Sequence, residues 1–119
     1  MSHAAYARTV QQSASPREIE AQTLLMAARK LVEVQTNWNG ADKRMHAALL
    51  FNRRLWTIFM SAAESNDNPQ PVEVRQNILN IAVFVMQRTM ELQKNPNPEK
   101  LQSLIDINSN IAAGLAGRP

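Results

Sequence analysis

"ALLFNRRLWTIF", residues Ala48 to Phe59, decides the fold. It is apolar apart from Asn52, the adjacent pair Arg53 and Arg54, and Thr57. A bilayer span needs ~20 predominantly apolar residues, and the two arginines interrupt this run well before that. At about 100° per residue the stretch sorts into helical faces. Ala48, Leu49, Asn52, Trp56 and Phe59 share one broad face with Met45 and Met60, and Leu55 lies at its edge. Phe51 and Ile58 lie elsewhere, at i and i+7 with Ala47 beside them. Arg54 falls between those two, and Arg53 points away from them. The segment is therefore an α-helix that is apolar on two sides, in an all-α protein.

Outward from this helix the punctuation is proline-led. "SPRE" places Ser15 as an N-cap, Pro16 at the first helical position and Glu18 three residues after the cap, which is a capping box. That helix is expected to run to about Gln35. Ala21, Leu24, Leu25, Ala28, Leu31 and Val32 form its apolar face. "NWNGAD" ends it, with Gly40 as the turn residue, and Asp42 caps the second helix, expected to reach about Ala63. "ESNDNPQP" reads as a loop. A third helix is expected from Pro71 to about Lys94. A fourth runs from Pro98, capped by Asn97, to about Ala113, with Gly114 as the residue that ends it. The expected architecture is a single compact bundle of four main helices. One domain fills residues 1–119, with 1–14 a short N-terminal arm or helix and 15–115 the bundle.

The totals agree with a small single domain. The chain has 119 residues and no cysteine, with 13 basic against 10 acidic residues, a formal charge of +3. That length supports one core. The lack of cysteine removes disulfides and thiolate chemistry, and it fits a reducing cytoplasm. The small excess of charge is spread along the chain, unlike the concentrated basic stripe of a nucleic-acid binder. Met1–Gln12 has no apolar h-region, so no signal peptide is expected there.

The third helix repeats the two-sided pattern. Val74, Ile78, Ile81, Val85 and Leu92 form one stripe, and Leu79, Val83, Met86 and Met90 a second, while Phe84 interrupts the polar side. The fourth is simpler. Leu101, Leu104, Ile105, Asn108, Ile111, Ala112 and Leu115 oppose Gln102, Ser103, Asp106 and Asn110. Two central helices touched on two sides would bury both stripes, at ~1.5–3 kcal/mol for each large side chain. Alternatively a second stripe stays open, and methionines adapt such a surface to a partner helix. Arginine stems suit both outcomes, since they lie along apolar surface while the guanidinium reaches water or a carboxylate. Asn52 and Asn108 fall on apolar faces. A buried unpaired amide is costly, so each is expected to be hydrogen-bonded, fixing helix register more readily than touching a ligand.

Catalytic constellations do not emerge. His3 and His46 have no metal-ligand spacing, and no HExxH motif, nucleophile elbow or glycine-rich phosphate loop occurs. No enzyme, metal or cofactor is expected. Three basic pairs, Arg29–Lys30, Lys43–Arg44 and Arg53–Arg54, with Trp38 nearby, allow a modest single-strand RNA contact. A solvated basic surface is the favoured reading of the same residues.

The order of motifs carries a resemblance. Ala5–Tyr6 precedes "SPREIEAQTLLMAARKL", followed by "ALLFNRRLWTIF", "PVEVRQNILNIAVFV" and "LQSLIDINSNIAAGL". Together, from Ala5 to Leu115, they resemble the flagellar biosynthesis regulator FlaF family, with "NRRLW" and "LIDINSNIAAGL" the most specific parts. The resemblance implies a small, non-catalytic cytoplasmic regulator of flagellin production that acts after transcription. It implies links to a second regulator, FlbT, which acts on flagellin messenger RNA, and to flagellin itself as a chaperone-like partner.

On that basis the open stripes would form a groove for an amphipathic terminal helix of flagellin. Phe51, Ile58, Leu79, Val83, Met86 and Met90 would supply its apolar wall, and Arg53 and Arg54 would pair with acidic groups on the client. The other two classes of function are direct binding of the flagellin message and action through FlbT alone. A doubly striped helix would serve a homo-oligomer equally well. No membrane insertion is expected.

Overall fold

In the computed structural model, which describes residues 15–117, each helix begins where the punctuation demands. Helix α1 spans Pro16–Thr36, and the Ser15 hydroxyl accepts from the backbone N–H of Glu18. Helix α2 spans Lys43–Glu64, and Asp42 accepts from the N–H of Met45 at 3.0 Å. Helix α3 spans Val72–Lys94. Pro71 is its N-cap rather than its first helical residue. A one-turn 3-10 helix, Pro98–Lys100, capped by Asn97, leads into α4, Leu101–Leu115. Gly114 lies within α4, and Gly117, at φ 74°, takes the left-handed conformation past its end. The expectation for Gly114 is thus corrected. Ile111, Ala112 and Leu115 pack inward, so the last turn gains burial by staying helical. The arm assigned to residues 1–14 lies outside the described residues.

The first and last helices pack against one another, α2 packs against α3, and α1 also lies against α2. Helix α3 meets α4 at only a few places. Leu24, Ala27, Leu31, Met45, Leu49, Trp56, Val85, Leu92, Leu101 and Leu104 are buried in one continuous core. In α1 the buried face is shifted from the expected one. Ala27 and Val34 are inside, whereas Leu25 and Val32 are exposed. Ala21, Leu24, Ala28 and Leu31 stay inside as expected, so the buried face is displaced at one edge only. Val74 of α3 is also exposed, because no residue of α3 before Ala82 is buried.

Trp56 sits at the centre of the core and organises its polar part. Its indole Nε1 donates to Oδ1 of Asn108 at 2.9 Å, and Nδ2 of Asn108 donates to Oδ1 of Asn52 at 2.6 Å. All three side chains are fully buried. The two asparagines therefore bond to each other across the bundle, joining α2 to α4. Such a chain is satisfied in one register only, since sliding either helix would strand buried groups. Asn52 Nδ2 remains buried without a partner among the described residues.

Candidate protein-binding face

The charged centre of the opening stretch follows from its geometry. Asn52, Leu55 and Trp56 point inward, while Arg53 and Arg54 are exposed. Leu50 and Ile58 flank the arginines and are 43% and 65% exposed. With Arg53, Arg54 and Thr57 they line a shallow hollow on the outer side of α2. Neither arginine has a carboxylate within ion-pair distance among the described residues. The surface is thus apolar at both ends and cationic between.

Phe51 turns toward α1. It is half-buried and packs against the core. Lys30 Nζ lies 5.1 Å from its ring centroid, a cation–π arrangement. Lys30, Glu33, Arg44, Phe51 and Arg54 line a second hollow, between α1 and α2. Arg54 borders both hollows and links them. Arg44 is already engaged, since its guanidinium bonds the Asp42 carboxylate and the Asn37 carbonyl. The N–H of Met45, and then Arg44, hold the Asp42 carboxyl below its ordinary value.

On α3, Val83 and Met90 are 51% and 57% exposed, whereas Leu79 and Met86 are half-buried and Met86 packs against the core. The eight residues singled out from the sequence therefore divide. Arg53, Arg54 and Ile58 share one hollow, Phe51 and Arg54 the other, and none of Leu79, Val83, Met86 and Met90 lines either. Phe84 lies on another side of α3, with the Arg88 guanidinium 5.3 Å from its ring centroid. At the far end of α3, Lys100 bonds Glu91 and lowers its carboxyl pKa, with Arg88 adding a smaller effect.

Two features escaped the sequence reading. Leu50 belongs to the outer hollow, and its signal was present, because Leu50, Arg54 and Ile58 follow at four-residue steps. The second is an open groove of about 440 Å³, lined by Glu20, Phe59, Ala62, Ile78, Ile111 and Leu115 and bordered by residues of the loop 65–70. It draws residues from four helices, so no local periodicity announces it.

Among the described residues no group of three His, Cys, Asp or Glu side chains gathers in a metal-binding arrangement, and His46 is exposed. No helix among them is long and apolar enough to cross a membrane. Neither a curated protein nor a solved structure matches the chain. A family model described as "Flagellar protein FlaF" matches residues 2–115. The chain belongs to the FlaF family of flagellar proteins.

Proposed function

We propose that this FlaF-family protein is a non-catalytic, cytoplasmic regulator of flagellum biogenesis that binds flagellin as a chaperone-like partner. By that binding it controls flagellin synthesis and export post-transcriptionally. One observation carries the reading: the outer side of α2 leaves Leu50 and Ile58 exposed on either side of Arg53 and Arg54. An amphipathic helix from a flagellin terminus would lay apolar side chains on Leu50 and Ile58 and set carboxylates beside the arginines. Phe51 would extend that contact toward α1. Val83 and Met90 would extend it on α3, with Leu79 and Met86 at its margin.

The test is co-elution with unpolymerised flagellin on size exclusion with light scattering, at physiological salt. A defined complex is expected, and Ile58→Asp should abolish it while leaving the circular dichroism and melting of the free protein unchanged, because Ile58 is exposed. Separate peaks at micromolar concentration would refute the reading.

A second reading has its own observation. Lys30 and Arg54 line one hollow beside an aromatic ring, which suits the flagellin message or the regulator FlbT. RNA is the weaker candidate, since Lys30 already covers a face of Phe51 that a base would need for stacking. Binding to the message leader would fall steeply as salt rises. A complex with FlbT would form without flagellin or RNA.

A further inference from the structure

The connection between α1 and α2, residues 37–42, is neither helix nor strand. It contains Asn39–Gly40, the one place in the chain where a glycine follows an asparagine. Such a pair is intrinsically reactive. A backbone nitrogen can attack the side-chain carbonyl of the asparagine before it, closing a five-membered ring. Glycine presents that nitrogen with no side chain in the way and with the widest backbone freedom. Asn39 is exposed. Gly40 stands at φ 68°, and a Cβ placed on it would meet nothing within 4 Å. Its carbonyl accepts from the Asp42 N–H at 3.0 Å, but its own N–H has no acceptor among the described residues. The other asparagines are held back. Asn68, Asn95 and Asn97 precede prolines, which have no N–H to attack with. Asn66 is exposed, but the next N–H, that of Asp67, bonds the Ser65 hydroxyl. Asn37 is followed by Trp38 and gives its own amide to the Glu33 carbonyl. The rest lie inside helices, where the following N–H belongs to the backbone ladder.

We propose that Asn39 is a site of self-modification in the folded protein. The Gly40 nitrogen forms a bond to Cγ of Asn39, the Cγ–Nδ2 bond breaks, and the side-chain nitrogen leaves as ammonia with the proton from the Gly40 N–H. Water then opens the cyclic imide. Attack at Cγ gives aspartate, and attack at the backbone carbonyl gives isoaspartate, whose main chain runs through the former side chain. Water is the only co-reactant. Either product lowers the formal charge of +3 by one, and isoaspartate also adds a carbon to the main chain. The site of that change is held tightly. The Arg44 guanidinium bonds the Asn37 carbonyl at 2.7 Å and the Asp42 carboxylate at 3.1 Å, so it clasps the connection on both sides of residue 39. The added carbon lengthens the span inside the clasp, and the new carboxylate enters it. Arg44 lines the hollow that holds Phe51 and Arg54, so the modification alters the border of the candidate face as a molecule ages.

The test incubates the full chain in neutral buffer, both folded and unfolded in urea. Isoelectric focusing follows the loss of charge, peptide mass mapping locates it, and labelling by an isoaspartate methyltransferase identifies the rearranged product. In the folded chain Asn39 is expected to convert at least about ten-fold faster than Asn66, because only Asn39 has glycine at the attacking position. Its rate should approach that in the unfolded chain. Asn39→Gln should keep a single isoelectric band through the same incubation, since its longer side chain would have to close a six-membered ring. The position is exposed and outside the helices, so that variant should fold as the parent does. An Asn39 that stays intact in the folded chain while converting in the unfolded one would overturn the proposal. So would equal conversion of Asn39 and Asn66. The inference does not depend on flagellin binding, and the Ile58→Asp experiment leaves this connection untouched.

Discussion

Helices α3 and α4 are written in similar letters and used in opposite ways. Helix α4 has 15 residues, of which Leu101, Leu104, Ile105, Asn108 and Ala112 are buried. Helix α3 has 23 residues and buries only Ala82, Val85, Thr89 and Leu92. No large apolar side chain of α4 is exposed, whereas Val72, Val74, Val83, Phe84 and Met90 of α3 all are. The cause is neighbours. Helix α4 packs extensively on α1 and sends Asn108 to Trp56 and Asn52, while α3 is held mainly by α2. Apolar periodicity marks the faces a helix offers, and only the tertiary partners decide how many of them are covered.

The contrast can be attacked by mutation. Leu104→Ala should give the largest loss, ~2–5 kcal/mol, because it opens a cavity at a fully buried site. Chemical denaturation reads it as a fall in midpoint at constant slope. Asn108→Ala should cost ~1–3 kcal/mol, since the Trp56 N–H and the Asn52 carbonyl both lose their partner in the core. A double-mutant cycle with Asn52→Ala should then show strong coupling. On α3, Val83→Ala and Met90→Ala should each stay within ~0.5 kcal/mol, as surface changes do. A Val83 effect as large as that of Leu104 would mean that α3 is covered in solution, and would end the comparison.

A further expectation concerns pH. The Asp42 carboxyl is held below its ordinary value of 3.8, chiefly by the Met45 N–H and then by Arg44. A lowered pKa in the folded state means that the carboxylate stabilises the fold above that ordinary value, and that this stabilisation disappears as pH falls through the lowered one. Asp42→Ala should therefore melt earlier than the unmutated chain at neutral pH. The gap should close in strongly acidic buffer, as followed by circular dichroism. A gap that persisted there would assign the effect to helix propensity rather than to the charge.

Much of the fold was legible in the sequence for a simple reason. Caps and prolines act locally, so Ser15 and Asp42 announced two of the α-helix starts; Asn97 announced the one-turn 3-10 helix, so α4 begins three residues later than expected, and Pro71 misplaced the start of α3 by one position. The single face of α4 was equally plain. The shift of the buried edge of α1 from Leu25 and Val32 to Ala27 and Val34 depends on where the neighbouring helices lie, and a helical wheel does not contain that. Asn52 and Asn108 stood out as polar residues on apolar faces, and their need for partners was foreseeable. That they would bond directly to each other, with Trp56 donating to Asn108, was not, because they lie 56 positions apart. The candidate face was legible only in parts. Arg53, Arg54 and Ile58 were visible together within one helix, while their relation to Val83 and Met90 needed the packing of two.

The pairing of the first helix with the last has a consequence for how the chain is made. Gln35 of α1 donates to the carbonyl of Pro98, 63 positions later, at the threshold of α4. Synthesis proceeds at ~5–20 residues per second, so α1 leaves the ribosome seconds before its principal partner exists. Over that interval Leu24, Leu31 and Val34 have only α2 to lean on. A stop codon anywhere in α4 would make that exposure permanent, yielding an aggregation-prone fragment in place of a shortened bundle.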